Sequence, residues 1–133
     1  MTEASRGLLD TSVVIDLHRI DPERLPAESA IAAVTLAELA AGPHATVDAH
    51  ERGQRQDRLH WAAATWDPLP FDANAARMYG RVFAAVRAGG RTPRSRVADL
   101  LIAATAASND LPLYTRNPND FAALEGVVAV HVI

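Results

Sequence analysis

The chain has 133 residues, a formal net charge of −3 and no cysteine, which excludes a disulfide framework, a thiolate zinc site and a cysteine nucleophile. A chain of this length is expected to fold as one domain, here residues 1–133, with a core of its own. Residues 1–7 carry no export signal, and no apolar run reaches the ~20 residues that a membrane span needs. We therefore expect a cytoplasmic protein.

The first half of the chain alternates short apolar strands with helices. The first apolar run ends at Asp10, and Thr11 or Ser12 is expected to cap the helix that follows. Gly42 is expected to end the second helix. In chain order the predictions are a strand over residues 7–10, a helix over 12–20, a proline-bearing loop over 21–26, a strand over 29–35 and a helix over 36–42.

The second half continues this alternation with longer helices. Gly53 interrupts the pattern of the first of them, and prolines weaken the strand that follows it. Asp72 is expected to cap the next helix. In chain order the predictions are a helix over residues 46–65, a strand over 66–71, a helix over 72–90, a basic loop over 91–96, an apolar helix over 97–110, a strand over 111–115, a turn over 116–124 and a strand over 126–133.

Short apolar strands that alternate with helices are typical of an α/β fold. Its sheet is expected to be mainly parallel, with helices covering both faces. In such a sheet, ligands bind outside the carboxyl ends of the strands. Side chains just past the predicted strands are therefore the first candidates for a functional site.

Five acidic or amide side chains from distant parts of the chain lie at this predicted edge. Asp10 ends the first strand, and Glu38 lies just after the second. Asp99 lies in the first turn of the apolar helix, and Asn117 and Asp120 lie just past the fourth strand. The topology therefore predicts that these groups meet.

Each carboxylate also has a purely structural interpretation. Asp10 could cap the helix that follows it, and Asp120 could be an ordinary turn or cap residue. Glu38 could close a capping box with Thr35, and Asp99 could complement the positive end of its helix.

Clustered carboxylates raise one another's pKa, so such a cluster is stable when a cation neutralises it. The chain has five histidines, and no two stand three or four positions apart, so a histidine metal site is not expected. Oxygen ligands alone favour Mg²⁺ or Mn²⁺. A water bound to such a cation is more acidic than bulk water, which suits phosphodiester hydrolysis.

Four segments of the chain together resemble the PIN-domain ribonucleases and, more narrowly, the VapC-type toxins of toxin–antitoxin pairs. They are LLDTSVVIDL at residues 8–17, AVTLAELAAG at 33–42, VADLLIAATAASNDLPLYTRNPNDF at 97–121 and the closing short strand. The resemblance covers essentially the whole chain. It implies a three-layer α/β/α fold and a metal-dependent endoribonuclease that cleaves cellular RNA.

The resemblance also implies roles for the candidate residues. Asp10, Glu38 and Asp99 would form the acidic site, with the metal bound by Asp10 and Asp99. Three hydroxyl side chains would hydrogen-bond to the carboxylates and orient them: Thr11, Ser12 and Thr115.

The chain departs from the family pattern at one position. The family often places a fourth acid just after the Thr-Arg pair, where this chain has Asn117. Asn117 could still bind a metal through its carbonyl oxygen, and Asp120 could supply the missing carboxylate. The identity of the fourth ligand is therefore open at this point.

The resemblance further implies a cognate VapB-like antitoxin, which would occupy the active-site groove, and a homodimer. The chain has 13 arginines and no lysine. The arginine guanidinium group binds phosphate through two parallel hydrogen bonds. Five arginines flank the predicted acidic site and are either RNA ligands or ordinary polar loop residues: Arg87, Arg91, Arg94, Arg96 and Arg116.

Two other functions are weighed against a ribonuclease. LLDTS is similar to the start of aspartyl-nucleophile phosphatases of the haloacid dehalogenase type, but Ser12 stands where those enzymes have a second aspartate. A non-catalytic RNA- or protein-binding module on the same scaffold is the other alternative, and the neutral Asn117 favours it.

Overall fold

The computed structural model describes residues 5–133; residues 1–4 of the predicted domain lie outside the described part. The strands are β1 (Arg6–Leu9), β2 (Glu28–Ile31), β3 (Leu113–Thr115) and β4 (Val130–Val132). The helices are α1 (Thr11–Ile15), α2 (Ala33–Ala41), α3 (Ala49–Thr65), α4 (Ala73–Ala88) and α5 (Val97–Ser108). Short 3₁₀ turns cover Leu17–Arg19, Pro22–Arg24, Gly42–Ala45, Pro93–Arg96 and Pro118–Phe121.

The four strands form one sheet in the order β2-β1-β3-β4. All neighbouring strands run parallel, which confirms the predicted α/β fold. Leu8 of β1 pairs with Ala30 on one side and Leu113 on the other. The carboxyl ends of β1 and β3 therefore lie side by side in the middle of the sheet.

Helices cover both faces of the sheet and give three layers. Leu8 and Leu113 pack on one face with buried side chains of α4 and α5, such as Val82 and Ile102. Leu9, Ile31 and Tyr114 pack on the other face with α1, α2 and α3. This alternation follows from the two-residue period of a strand, and each buried leucine contributes about 2 kcal/mol of transfer free energy.

The predicted strand over residues 66–71 is wrong. In its place Leu69 forms a single parallel bridge with Ala32, through hydrogen bonds that involve Ile31 and Ala33. Pro68 and Pro70 flank Leu69, and prolines lack the N–H group that a strand needs to continue its pairing.

Several element boundaries also differ from the prediction. β2 ends at Ile31 and α2 begins at Ala33, so residues 33–35 of the predicted strand are helical. α1 ends at Ile15, and its cap is Asp10 rather than Thr11 or Ser12.

The caps and interior of the longer helices follow the sequence more closely. Asp72 caps α4 by accepting from the backbone N–H of Ala75 at 2.9 Å, as predicted. α3 continues through Gly53, with Asp48 as its cap. Within residues 5–133, no helix has the length and hydropathy needed to cross a membrane.

Candidate active site

Asp10 lies directly after β1, at the centre of the carboxyl edge of the sheet, and is only 3% exposed. Its Oδ1 accepts hydrogen bonds from Ser12 Oγ at 2.5 Å and from the Val13 N–H at 3.2 Å. Its Oδ2 accepts from Thr115 Oγ1 at 2.7 Å. Asp10 therefore caps α1 and at the same time presents a rigidly held carboxylate at the sheet edge.

Two opposing effects act on the Asp10 carboxyl. Burial raises its pKa because the charged form loses water. Hydrogen bonds from Ser12, Thr115 and Val13 favour the charged form and offset part of this rise. A cation placed at Asp10 would relieve the remaining cost of the buried charge.

The chain just after β3 wraps around Asp10. Thr115 Oγ1, which donates to Asp10, accepts from the Asn117 N–H at 2.9 Å. The Arg116 N–H donates to Ser12 Oγ at 3.2 Å. Asn117 thus contacts this network through its backbone, and its side chain is exposed.

Glu38 projects from α2 and is exposed. Thr11 Oγ1 donates to Glu38 Oε1 at 2.6 Å and lies 3.0 Å from Thr35 Oγ1. Thr35 is inside α2 and fully buried, so the alternative capping box of Thr35 and Glu38 does not form. Sequence reasoning missed this use of Thr35. The signal that could have revealed it is the spacing of three residues between Thr35 and Glu38, which places their side chains on the same face of α2.

Asp99 lies in the first turn of α5 and is half-buried. Burial, together with the charges of Asp120, Glu38 and Asp10, raises the pKa of Asp99 to about 6. Arg96 acts in the opposite direction. Four carboxylates from distant parts of the chain therefore share one electrostatic neighbourhood at this edge.

These carboxylates are near one another but do not form a closed cage. Across residues 5–133, no three His, Asp or Glu side chains are close enough together to make a ready-made metal site. Mutual repulsion keeps uncompensated carboxylates apart. Mg²⁺ retains several waters and needs only one or two direct carboxylates, so the oxygen donors of Asp10 and Asp99 fit such a cation.

Asp120 lies in the 3₁₀ turn after β3 and forms an ion pair with Arg96, with Asp120 Oδ1 2.8 Å from Arg96 Nη1. Arg116 pairs with Asp16 at 3.0 Å, an acid that the sequence did not connect with the site. Arg87 and Arg94 are exposed. The five candidate arginines are thus not equivalent.

A groove begins beside Thr11 and Glu38. Its first part is a cavity of about 420 Å³ with Leu39, Arg55 and Arg58 in its walls. A second cavity of about 400 Å³ continues between α1 and α3 and shares Arg58 with the first. The two cavities adjoin through shared lining residues, and Glu38 lies in the wall of the first.

Comparisons with known proteins give matches over nearly the whole chain. The PIN domain model matches residues 7–127. Ribonuclease VapC5 from Mycobacterium tuberculosis is 41% identical over 135 residues, which cover 99% of this chain and 97% of that protein. The crystal structure of VapBC-5, a member of the VapBC family of toxin–antitoxin systems from the same organism, matches with a TM-score of 0.83 and 41% identity, covering 97% of this chain and 98% of that one. FitAcB from Neisseria gonorrhoeae matches with a TM-score of 0.72 and 30% identity, covering 92% and 94%.

Proposed function

Since this chain belongs to the PIN-domain family and, within it, to the VapC-type toxins, we propose that it is an endoribonuclease toxin that hydrolyses phosphodiester bonds in cellular RNA. The observation that carries this proposal is the buried Asp10, which is held by Ser12 and Thr115 within the electrostatic reach of Asp99. The match to a ribonuclease over 99% of the chain supports it.

The catalytic roles fall to the carboxylates at the sheet edge. Asp10 and Asp99 would bind Mg²⁺ or Mn²⁺, and Glu38 would act beside them. A bound divalent cation supplies a more acidic water and neutralises charge on phosphate oxygens. Ser12 and Thr115 hold Asp10 in place, and Thr11 fixes the orientation of Glu38.

The fourth carboxylate is proposed to be Asp120 rather than a substitute amide from Asn117. The charge of Asp120 acts directly on Asp99. Asn117 is linked to the network through its backbone N–H. Its exposed side chain would be free to position water or RNA.

RNA would approach along the groove that opens beside Glu38. Arg87, in the last turn of α4, and Arg94, in the 3₁₀ turn just before α5, are exposed and are the proposed phosphate contacts among the five candidates. Arg116 is tied to Asp16 and would contribute only if that pair opened.

The match to a VapBC toxin–antitoxin structure supports a VapB-like antitoxin as the partner that neutralises this protein. We further propose a homodimer within that assembly. Because the substrate is cellular RNA, the site of action is proposed to be the cytoplasm.

The test compares the wild type with Asp99→Asn on induced expression, with RNA 5′ ends mapped in both cultures. Growth arrest and new RNA ends are expected with the wild type alone. In vitro, EDTA should abolish cleavage, and Mg²⁺ or Mn²⁺ should restore it. Arrest by both proteins without new RNA ends would instead identify a binding module, and cleavage that survives both EDTA and Asp99→Asn would reject the acidic site.

A further inference from the structure

Two of the five candidate RNA-binding arginines contact the short turn that carries Asp120. Arg91 donates from Nη1 to the backbone carbonyl oxygen of Asn119 at 2.5 Å. Arg96 donates from Nη1 to the same oxygen at 3.2 Å and to Asp120 Oδ1 at 2.8 Å. Both guanidinium groups therefore hold the short turn that carries Asp120.

Arg96 joins two segments that bring acids to the site. It lies at the start of α5, three positions before Asp99, whereas Asp120 follows β3. Its side chain is 31% exposed and that of Asp120 is 34% exposed, so the pair is partly shielded from water. Partial shielding strengthens an ion pair relative to one on the open surface.

We propose that Arg96 is a positioning residue of this site: it holds Asp120 beside Asp99, and Arg91 fastens the same turn through the Asn119 carbonyl. Neither arginine is then primarily an RNA ligand. The inference rests on the proposed ribonuclease function and specifies how its fourth carboxylate is placed.

Moving Arg96 onto an RNA phosphate would carry an electrostatic cost. Asp120 would lose its partner while it remained within reach of the charge on Asp99. Like charges at short range disfavour the ionised state of both groups. Among the described residues Arg94, which is exposed on the same turn, forms no ion pair with Asp120, and it serves as a charge-matched comparison.

Steady-state kinetics on a single-stranded RNA substrate separate the two roles. If Arg96 positions Asp120, Arg96→Gln lowers kcat on the order of 10- to 100-fold, as a misplaced catalytic group does, and leaves KM within about twofold. Asp120→Asn has a similar effect. The double variant is then expected to lose little more kcat than the more damaging single variant, because the effects of residues that act through one another are not additive.

Equilibrium RNA binding in EDTA gives a readout that does not depend on cleavage. A lost phosphate contact reduces the slope of log Kd against log salt by about 0.7 for single strands. Arg96→Gln should keep the wild-type slope. Arg94→Gln removes the same charge from a proposed phosphate contact on the same turn, so its slope should fall by about 0.7.

Hydrogen exchange at residues 117–121 tests the contact directly. The Asp120 N–H donates to the Asn117 carbonyl at 3.0 Å, and its exchange should accelerate in Arg96→Gln and Arg91→Gln but not in Arg94→Gln. Arg96→Lys keeps a positive partner for Asp120 and should recover part of the lost kcat, which also covers the case in which Arg96→Gln folds poorly.

The inference is overturned if Arg96→Gln raises KM and lowers the salt slope, and if the double variant with Asp120→Asn loses kcat by the product of the two single losses. A wild type that cleaves no RNA would instead reject the proposed function. Unchanged exchange at residues 117–121 in Arg96→Gln would overturn the positioning role whatever the activity of the wild type.

Discussion

Thr115 Oγ1 donates a hydrogen bond of 2.7 Å to Asp10 Oδ2, although the two residues are 105 positions apart. Thr115 ends β3 and Asp10 follows β1, and the parallel pairing of these strands brings them together. Thr115 is fully buried and Asp10 nearly so. The position of Asp10 within the acidic site is therefore fixed by the two central strands.

Thr115→Val should lower both stability and activity. Valine keeps the shape but removes the donor, so a buried carboxylate oxygen loses a partner, at a cost of about 2 kcal/mol. Burial then dominates the pKa of Asp10 more strongly, which favours its protonated form. We expect a drop in the free energy of unfolding in urea and at least tenfold slower RNA cleavage.

Thr105→Val is the matched control for this prediction. Thr105 is also fully buried, but its hydroxyl donates to the Leu101 carbonyl within α5. This variant should cleave RNA at the wild-type rate after any stability loss is allowed for. Equal loss of activity in both variants would mean that Thr115 matters for packing alone.

Asp99→Asn should remove activity while stabilising the metal-free protein. Burial and three neighbouring carboxylates raise the pKa of Asp99 to about 6, so its ionised form opposes folding at neutral pH. Asparagine removes this charge. Allowing for solvent screening, we expect a gain on the order of 1 kcal/mol in thermal unfolding at pH 7.5 without divalent cations.

This stability gain should depend on pH in a defined direction. The Asp99 carboxyl releases its proton near pH 3.8 in the unfolded chain and near pH 6 in the folded protein. The contribution of Asp99 to the stability of the wild type therefore falls as pH rises between those values. The difference in free energy of unfolding between Asp99→Asn and the wild type grows over the same window and then levels off. An advantage that is constant from pH 4 to 7.5 would contradict the assignment.

The sequence predicted the order of the elements and the meeting of Asp10, Glu38 and Asp99 at one edge because these depend on local periodicity and on parallel topology. It placed a strand at residues 66–71, where the flanking prolines leave only the bridge between Leu69 and Ala32. The apolar pattern predicts a strand there, but it does not take into account that proline has no N–H group to donate to a neighbouring strand.

The acidic partners of the arginines could not be predicted from the sequence. Arg96 and Asp120 are 24 positions apart, and Arg116 and Asp16 are 100 apart. Which arginine meets which acid depends on how loops pack, and charge composition carries no such information. The same limit explains why the sequence offers Thr35 only as an alternative cap and not as a hydrogen-bond partner of Thr11.

Gly7→Ala should destabilise the protein strongly for its size. An added Cβ would lie 2.3 Å from Cε1 of Tyr114, whose ring stacks on His131 at 4.8 Å and so has little room to retreat. We expect a loss of about 2 kcal/mol or more in chemical denaturation. Gly80→Ala is the control. Gly80 lies within α4, and an added Cβ there would have no atom within 4 Å, so this substitution should stabilise the protein by about 0.5–1 kcal/mol. Similar losses in both would contradict the steric explanation.

Glu38→Gln should separate a catalytic role from a structural one. The amide keeps an oxygen that can accept from Thr11 but removes the negative charge that acts on Asp99. Because Glu38 is exposed, we expect a change in stability within about 0.5 kcal/mol, together with RNA cleavage slowed about 100-fold.

Glu28→Gln is the matched control for Glu38→Gln. Glu28 is equally a surface carboxylate, but it begins β2 at the opposite end of the sheet and pairs with Arg6 at 3.3 Å. An exposed pair of this kind contributes at most about 1 kcal/mol, and its loss should leave the cleavage rate unchanged. If Glu38→Gln also cleaved at the wild-type rate, Glu38 would be only the hydrogen-bond acceptor of Thr11, and the acidic site would consist of Asp10, Asp99 and Asp120.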